Sequence, residues 1–255
     1  MHVINTVPMW MILAPILVMA LIASVAGFRY GRRHIDAGDN LNVSGLRAST
    51  LGLVALLLGF SFSMTSTRFG DRSRTVLEEA NSIGTCYLRA GLLDSASRER
   101  IRTAVRAYTD SRLENYQRGV DSKEYRRTTA DMQAALDLLW AGVEQAVRVD
   151  PERARVSLIV PAANDVIDLS AKHTWSDHNQ MPASVLFLLA ATIIITSVLI
   201  GQSLAESGDR HIGLWLAINI LLILLIFVIL DFDRPLRGLI RMNQAPLIDV
   251  RQIMK

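Results

Sequence analysis

The side chains that could perform chemistry lie at three places in the chain, and none of the three forms a known catalytic pattern. His173 and His178 stand five residues apart with Asp177 between them, and such side chains are common zinc ligands. On a helix, a spacing of five directs two side chains to different faces, so we predict no metal site. Glycine-rich phosphate loops, Gly-x-Ser-x-Gly nucleophile motifs and His-Glu-x-x-His sequences are absent. We therefore expect neither an enzyme nor a protein that needs a cofactor.

The second place is a polar stretch that follows a group of arginines. Val76, Ala80 and Ile83 recur at helical spacing and define a packed face, and Glu79 lies next to that face. One interpretation is a solvated helix surface. The other is that Glu79 or Asn81 faces a bundle interior or the vestibule of a pore. The vestibule prediction comprises Arg68, Arg72, Glu79 and Asn81.

The third place is the exit of the last apolar run, where Asp231, Asp233 and Arg234 follow one another closely. A charged side chain at the bilayer centre costs about 2.5 to 3.5 kcal/mol on insertion scales. Asp231 should therefore lie at the membrane interface or pair with an arginine, and Asp233 and Arg234 could pair with a neighbouring helix or subunit. We predict that these three residues form a structural collar, with direct contact to ions as the alternative.

Four apolar runs position these groups, at residues 9–28, 46–64, 183–204 and 212–230. Each is about as long as a helix needs to cross some 30 Å of hydrocarbon. Residues 221–230 are apolar on all sides, which favours lipid over the core of a soluble bundle. The first run could be a signal peptide cleaved near Ala26. However, no Lys or Arg precedes it and its apolar stretch is longer than a signal core, so we expect a retained span.

Helical periodicity dominates the polar segment between the second and third runs, and no strand pattern is present. Turn residues cluster at 91–97, 119–122 and 149–151. Asp94 or Ser95, and Asp150, are suitable N-caps for the helices that follow these turns. The segment is therefore predicted to be a helical bundle.

Apart from Gly70, no strong helix breaker stands between Met64 and Gly84. The second crossing should therefore continue as one helix from residue 46 to about residue 90. Pro161 predicts a kink or a break in the last polar helix.

The predicted fold is an all-α membrane protein with four transmembrane helices and a helical cytosolic bundle inserted between the second and third crossings. Its predicted domains are a first transmembrane hairpin (1–64), the cytosolic bundle (65–181), a second hairpin (182–231) and a C-terminal tail (232–255). An even number of crossings places both termini on the side of the bundle. Near the membrane that side carries seven Lys and Arg residues against five opposite, which favours a cytoplasmic bundle and cytoplasmic termini.

Composition narrows the function further. The chain has 255 residues, is 51% hydrophobic and carries a formal net charge of +3, which leaves too little length for a separate catalytic module. No Lys/Arg block interleaved with aromatic residues suggests nucleic-acid binding. The lone Cys86 excludes an internal disulfide.

Within the predicted spans the polar side chains are uncharged, apart from Arg47 at the margin of the second run. The absence of an ionisable residue in mid-membrane argues against a proton-coupled transporter. Hydroxyls such as Ser61 and Ser197, together with Asn219, are expected to form hydrogen bonds between helices. A channel needs no charge there, because an apolar constriction can gate by dewetting and flanking arginines can attract anions. The predicted pore lining on the second crossing comprises Leu56, Phe60, Ser63 and Met64.

Several segments together carry a family resemblance. They are residues 57–64 (LLGFSFSM), 68–72 (RFGDR), 78–85 (EEANSIGT) and 87–89 (YLR), with 233–235 (DRP), 238–240 (GLI) and 246–247 (PL) in the tail. In these segments the chain resembles the bacterial bestrophin-like membrane proteins that have a domain of unknown function. The resemblance covers nearly everything from the second crossing to the C-terminus and implies a multi-pass protein of the bacterial inner membrane.

A looser resemblance links the chain to bestrophins proper, which are pentameric anion channels with four crossings per subunit. It implies a homo-oligomer, a pentamer by analogy, that conducts inorganic anions through an apolar neck at Leu56 and Phe60. Two departures stand out. Gly52 replaces the bulky neck residue expected one turn earlier, and no acidic run like a calcium clasp follows the fourth crossing, so calcium gating is not expected. The alternative is a non-conducting membrane scaffold or sensor whose helical domain binds a protein partner.

Overall fold

The computed structural model describes residues 8–34, 40–118, 123–150, 152–178, 181–206, 212–234 and 238–254. Its helices are α1 (Met9–His34), α2 (Asn40–Ala90), α3 (Ser95–Arg118), α4 (Lys123–Val149), α5 (Arg153–His178), α6 (Ala183–Glu206), α7 (Ile212–Phe232) and α8 (Ala245–Ile253). No strand occurs within these ranges. Four helices, namely α1, α2, α6 and α7, are long and apolar enough to cross a membrane. The all-α, four-span prediction is therefore confirmed.

The chain divides into two compact units. The span unit comprises Met1–Arg68 and Met181–Arg234, and the bundle unit comprises Phe69–Gln180 and Pro235–Lys255. As predicted, α2 is one continuous helix of 51 residues. The location of the bundle in the cytosol stays a prediction.

In the span unit, α1 and α6 pack together closely because small residues face each other. A Cβ atom added to Gly201 would lie less than 3.0 Å from the carbonyl oxygen of Ser24. One added to Gly27 would meet the carbonyl oxygen of Val198 equally closely. Ser24 Oγ also donates a hydrogen bond to the carbonyl oxygen of Ser197 at 3.0 Å. Small residues of this kind let membrane helices approach until their backbones touch.

The polar groups of the spans follow two patterns. Ser197 Oγ donates to Asn219 Oδ1 on the adjacent helix α7 at 3.4 Å, so these two residues link helices as expected. Ser61 Oγ instead donates to the carbonyl oxygen of Leu57 at 2.9 Å in its own helix. For Ser61 the expectation of an interhelical bond was wrong, because the carbonyl one turn earlier is the nearer acceptor.

In the bundle unit, helices α3, α4 and α5 and the second half of α2 share one hydrophobic core. The turn after α2 ends at Asp94, whose Oδ1 accepts hydrogen bonds from the backbone N–H groups of Ala96 and Ser97 at 2.9 and 3.0 Å. That N-cap prediction is confirmed. The turn predicted at 119–122 lies outside the described residues. Pro161 lies inside α5 without ending it, so the helix is not broken.

The tail contributes a helix that the sequence did not suggest. Leu247 of α8 is fully buried in the bundle core. Arg251 Nη2 lies 2.9 Å from Asp110 Oδ2, and Arg106 Nε donates to the carbonyl oxygen of Met254 at 2.9 Å. A Cβ atom added to Gly84 would lie 3.1 Å from a methyl group of Val250, so α8 packs directly against α2.

Candidate functional site

The first half of α2 has one packed face and one open face. Val54, Leu58 and Thr65, together with Ser61, are buried within the span unit. On the opposite side, Leu56 and Phe60 are 53% and 65% exposed, and Ser63 is exposed as well. At the spacing of an α-helix the two sets lie on opposite sides of α2, so the predicted pore-lining residues Leu56, Phe60 and Ser63 share one uncovered face.

Glycines lie along the same open face. Nothing stands within 4 Å of a Cβ atom added to Gly52 or Gly59, so their smallness is not used for packing inside the protomer. Met64, the fourth predicted pore residue, differs because it is only partly exposed and packs against the apolar core of the span unit. The structure therefore places it at the border of the open face.

The four residues of the vestibule prediction occupy different environments. Arg68 is partly exposed and Asn81 is exposed. Arg72 is buried, and its Nε donates to the carbonyl oxygen of Ser176 in α5 at 3.3 Å. Glu79 is completely buried in the bundle unit, so of the two alternatives for this side chain it occupies the bundle interior.

Glu79 is the centre of a buried polar network that joins three helices. Tyr108 Oη of α3 donates a short hydrogen bond to its Oε1 atom. Arg112 Nε, also of α3, lies 3.3 Å from Oε1, and His173 Nδ1 of α5 lies 2.9 Å from Oε2. A carboxylate only accepts hydrogen bonds, so Nδ1 of His173 must carry a proton. The carboxylate thereby links α2 to both neighbouring helices.

The protonation of Tyr108 fits its role as a donor. Burial, and then the negative charge of Glu79, hold the pKa of Tyr108 well above its ordinary value. The hydroxyl therefore keeps its proton. A buried carboxylate is tolerated in a bundle core only when charge and hydrogen bonds compensate it, and here Arg112, Tyr108 and His173 supply that compensation.

The three collar residues are all buried at the end of α7. Both carboxylate oxygens of Asp233 accept from the backbone N–H of Met181, at 3.1 and 2.9 Å. Met181 precedes α6, so Asp233 ties the exit of the fourth span to the entry of the third. Asp231 accepts a hydrogen bond at its backbone oxygen from the N–H of Arg234 at 3.0 Å. Partners on another subunit stay a prediction.

Neither a catalytic arrangement nor a metal centre emerges from the described side chains. Among them, no group of three or more His, Cys, Asp or Glu residues could hold a metal ion. His173 is committed to Glu79, and the side chains of Asp177 and His178 lie outside the described residues. The sequence did not predict the contacts of Glu79 with Arg112 and with His173, because these residues are far apart in the chain. The available signal was Tyr108, which falls on the apolar stripe of α3.

Comparison with known proteins gives consistent results. A family model for the Bestrophin-like domain matches residues 14–247. A crystal structure of a bacterial Bestrophin homolog from Klebsiella pneumoniae, phased by Zn-SAD, is 14% identical with a TM-score of 0.70 and covers 94% of this chain and 96% of that chain. A structure described as a membrane protein is 13% identical with a TM-score of 0.72 and the same coverage. Among curated proteins, none matches the chain.

Proposed function

The chain belongs to the Bestrophin-like family, and from this premise we propose that it is a homo-oligomeric membrane channel whose second span lines the ion path. The supporting observation is the open face of α2, where Leu56 and Phe60 are uncovered while the opposite face is packed. A helix with one face packed inside the protomer must meet lipid, another copy or a water-filled pore with its other face. Glycines that are not used for packing within the protomer suit close approach between copies around an axis.

In the proposed pore, Leu56 and Phe60 form an apolar neck, one helical turn apart, with Ser63 beyond it and Met64 at its border. A ring of such side chains gates by dewetting, because water leaves a narrow apolar constriction. Gly52, one turn before Leu56, has no side chain, so the proposed pore is wider at that turn. The neck therefore has a single tight region about one helical turn long.

We propose that inorganic anions are the permeant ions. Arg68 lies about 7.5 Å beyond Ser63 along α2 and is partly exposed, and a fixed positive charge near a pore raises the local concentration of anions. Asn81, which is exposed, completes the proposed vestibule, and the buried Arg72 and Glu79 are proposed to support its wall from inside the bundle unit. The collar of Asp231, Asp233 and Arg234 is proposed to be structural.

The proposed location is the bacterial inner membrane, with the bundle unit and both termini in the cytoplasm and with five subunits by analogy to bestrophins proper. The alternative function is a scaffold or sensor that does not conduct. Large apolar side chains on the bundle unit favour it, since Leu88 and Leu138 are 65% and 63% exposed and could contact a protein partner.

Cysteine cross-linking in native membranes tests the proposed axis. In a Cys86→Ala background, Phe60→Cys should give covalently linked protomers on oxidation, because five copies of residue 60 would face one another. Ile220→Cys on α7, where the native side chain is 55% exposed, is the matched control and should stay monomeric on denaturing gels. Cross-linking of Ile220→Cys but not of Phe60→Cys would overturn the assignment of α2 to the axis.

A further inference from the structure

One side of α2 is exposed without a break from Leu53 to Asn81. Alternating steps of three and four residues reach an exposed residue each time, at positions 53, 56, 60, 63, 67, 70, 74, 77 and 81. Buried residues such as Val54, Leu58 and Val76 lie on the opposite side. Steps of three and four are the spacing with which parallel helices face one another around a common axis. We call these nine positions the exposed stripe, and Leu56 and Phe60 of the proposed neck belong to it.

Arg74 is the charged member of the exposed stripe, since the other eight residues are apolar or uncharged. It follows Phe60 by fourteen residues, which is about 21 Å along the helix at 1.5 Å per residue. That distance places it beyond the apolar run, which ends near Met64. Among the described residues, no carboxylate forms an ion pair with Arg74. Its positive charge is therefore not neutralised within the described part of the protomer.

The other two arginines that follow the neck are less accessible. Arg72 is buried and donates to the carbonyl oxygen of Ser176. Arg68 lies beside the stripe, is only partly exposed, and has a buried Nη1 atom. Of the three, Arg74 is the one whose side chain is exposed and lies on the same face as the neck.

Copies of α2 that meet along the stripe would bring their Arg74 side chains around one axis. Equal charges repel at close range, so such a ring requires a space wide enough for water, and it attracts anions into that space. We propose that Arg74 is the residue that selects anions in the channel. This inference rests on the proposed function, because it needs α2 at the axis. Asp71 is exposed one turn earlier but lies outside the stripe, and its charge offsets part of the effect.

Reversal potentials across a KCl gradient in planar bilayers measure the permeability ratio of chloride to potassium. Five unit charges roughly 8 Å from the axis, screened by physiological salt, concentrate anions about fivefold. Arg74→Gln should therefore lower the ratio about fivefold, whereas Arg74→Lys should keep it. Asp71→Asn should raise it. Arg126→Gln removes the same charge from an exposed position of α4 and should leave the ratio at the parental value.

Restoring the charge chemically separates selectivity from a structural role of the arginine. In a Cys86→Ala background, Arg74→Cys should have a low ratio. A thiosulfonate reagent that carries a trimethylammonium group should restore the ratio, and one that carries a sulfonate should lower it further.

The outcomes distinguish the inference from the proposed channel. Equal ratios for the parent and Arg74→Gln, while both conduct, would overturn the role of Arg74 and leave the channel intact. A ratio that does not respond to the sign of the attached reagent would overturn it as well. Absence of current from the parent and from every variant would contradict the channel itself, and the role of Arg74 would fall with it.

Discussion

Replacing Glu79 by Gln removes the charge at the centre of the bundle unit while keeping the size of the side chain. Both carboxylate oxygens of Glu79 accept hydrogen bonds, whereas in Gln one of these positions is an NH₂ group that can only donate. At least one hydrogen bond from Tyr108, Arg112 or His173 must therefore be lost. The charge of Arg112 also loses its counter-ion in a site where the two side chains are 0% and 6% exposed. Breaking a buried pair in this way costs about 3 to 5 kcal/mol.

The neighbouring residue provides a matched control for this prediction. Glu78 pairs with Lys172 at 2.9 Å, but the two side chains are 41% and 55% exposed, and such surface pairs contribute about 0 to 1 kcal/mol. In thermal unfolding of detergent-purified protein followed by tryptophan fluorescence, Glu79→Gln should lower the Tm of the bundle by roughly 10 °C or more. Glu78→Gln should change it little.

A double substitution shows whether the loss comes from the uncompensated charge. Glu79→Leu with Arg112→Met replaces the pair by apolar groups of similar volume and should recover part of the stability. Equal Tm values for Glu79→Gln and Glu78→Gln would refute the reasoning, because the buried network would then contribute no more than a surface pair.

Three other predictions follow from the structure. Gly201→Val should weaken assembly of the spans by about 1 to 3 kcal/mol through overpacking against Ser24, whereas Gly213→Val, with nothing within 4 Å of its Cβ position, should be tolerated. Size-exclusion chromatography after heating measures the stability of both variants. Equal stability would contradict the close packing of α1 on α6. Asp233→Ala should lower oligomer stability in detergent by about 1 to 3 kcal/mol, because the buried N–H of Met181 loses its acceptor. Altered ion selectivity in a fully assembled variant would contradict a purely structural role for the collar. Reporter fusions at residue 255 and within 119–123 should both read cytoplasmic, and a fusion within 36–42 the opposite face; opposite signals from the first two would overturn the four-crossing topology.

The parts of the fold that depend on local chemistry could be predicted from the sequence. The four spans follow from apolar length alone, and the continuous α2 follows from the lack of strong breakers between Met64 and Gly84. The cap at Asp94 was also predictable, because a carboxylate reaches the N–H groups two and three residues ahead in any helix that starts there. The family resemblance, read from residues 57–89 and the tail, is confirmed by the domain match over residues 14–247.

The parts that depend on distant pairing could not be predicted. Glu79 and His173 are 94 residues apart, and no local pattern distinguishes a buried glutamate from a solvated one beside the same apolar stripe. The helix α8 was missed because its nine residues give too short a periodic pattern, and its burial comes from Leu247 packing on the bundle. The proposed contacts between copies at Leu56 and Phe60 remain a prediction, because they depend on neighbouring protomers and not on packing within one chain.

Ion flux through reconstituted protein tests the channel most directly. Leu56→Ala combined with Phe60→Ala widens the proposed neck and should raise chloride flux into liposomes above that of the parent. Ile220→Ala combined with Leu224→Ala shortens two exposed side chains of α7 that are also four residues apart, and should leave the flux at the parental level. If the parent and the neck variant both conduct no better than empty liposomes across several anions and cations, the channel account is contradicted and the scaffold or sensor replaces it.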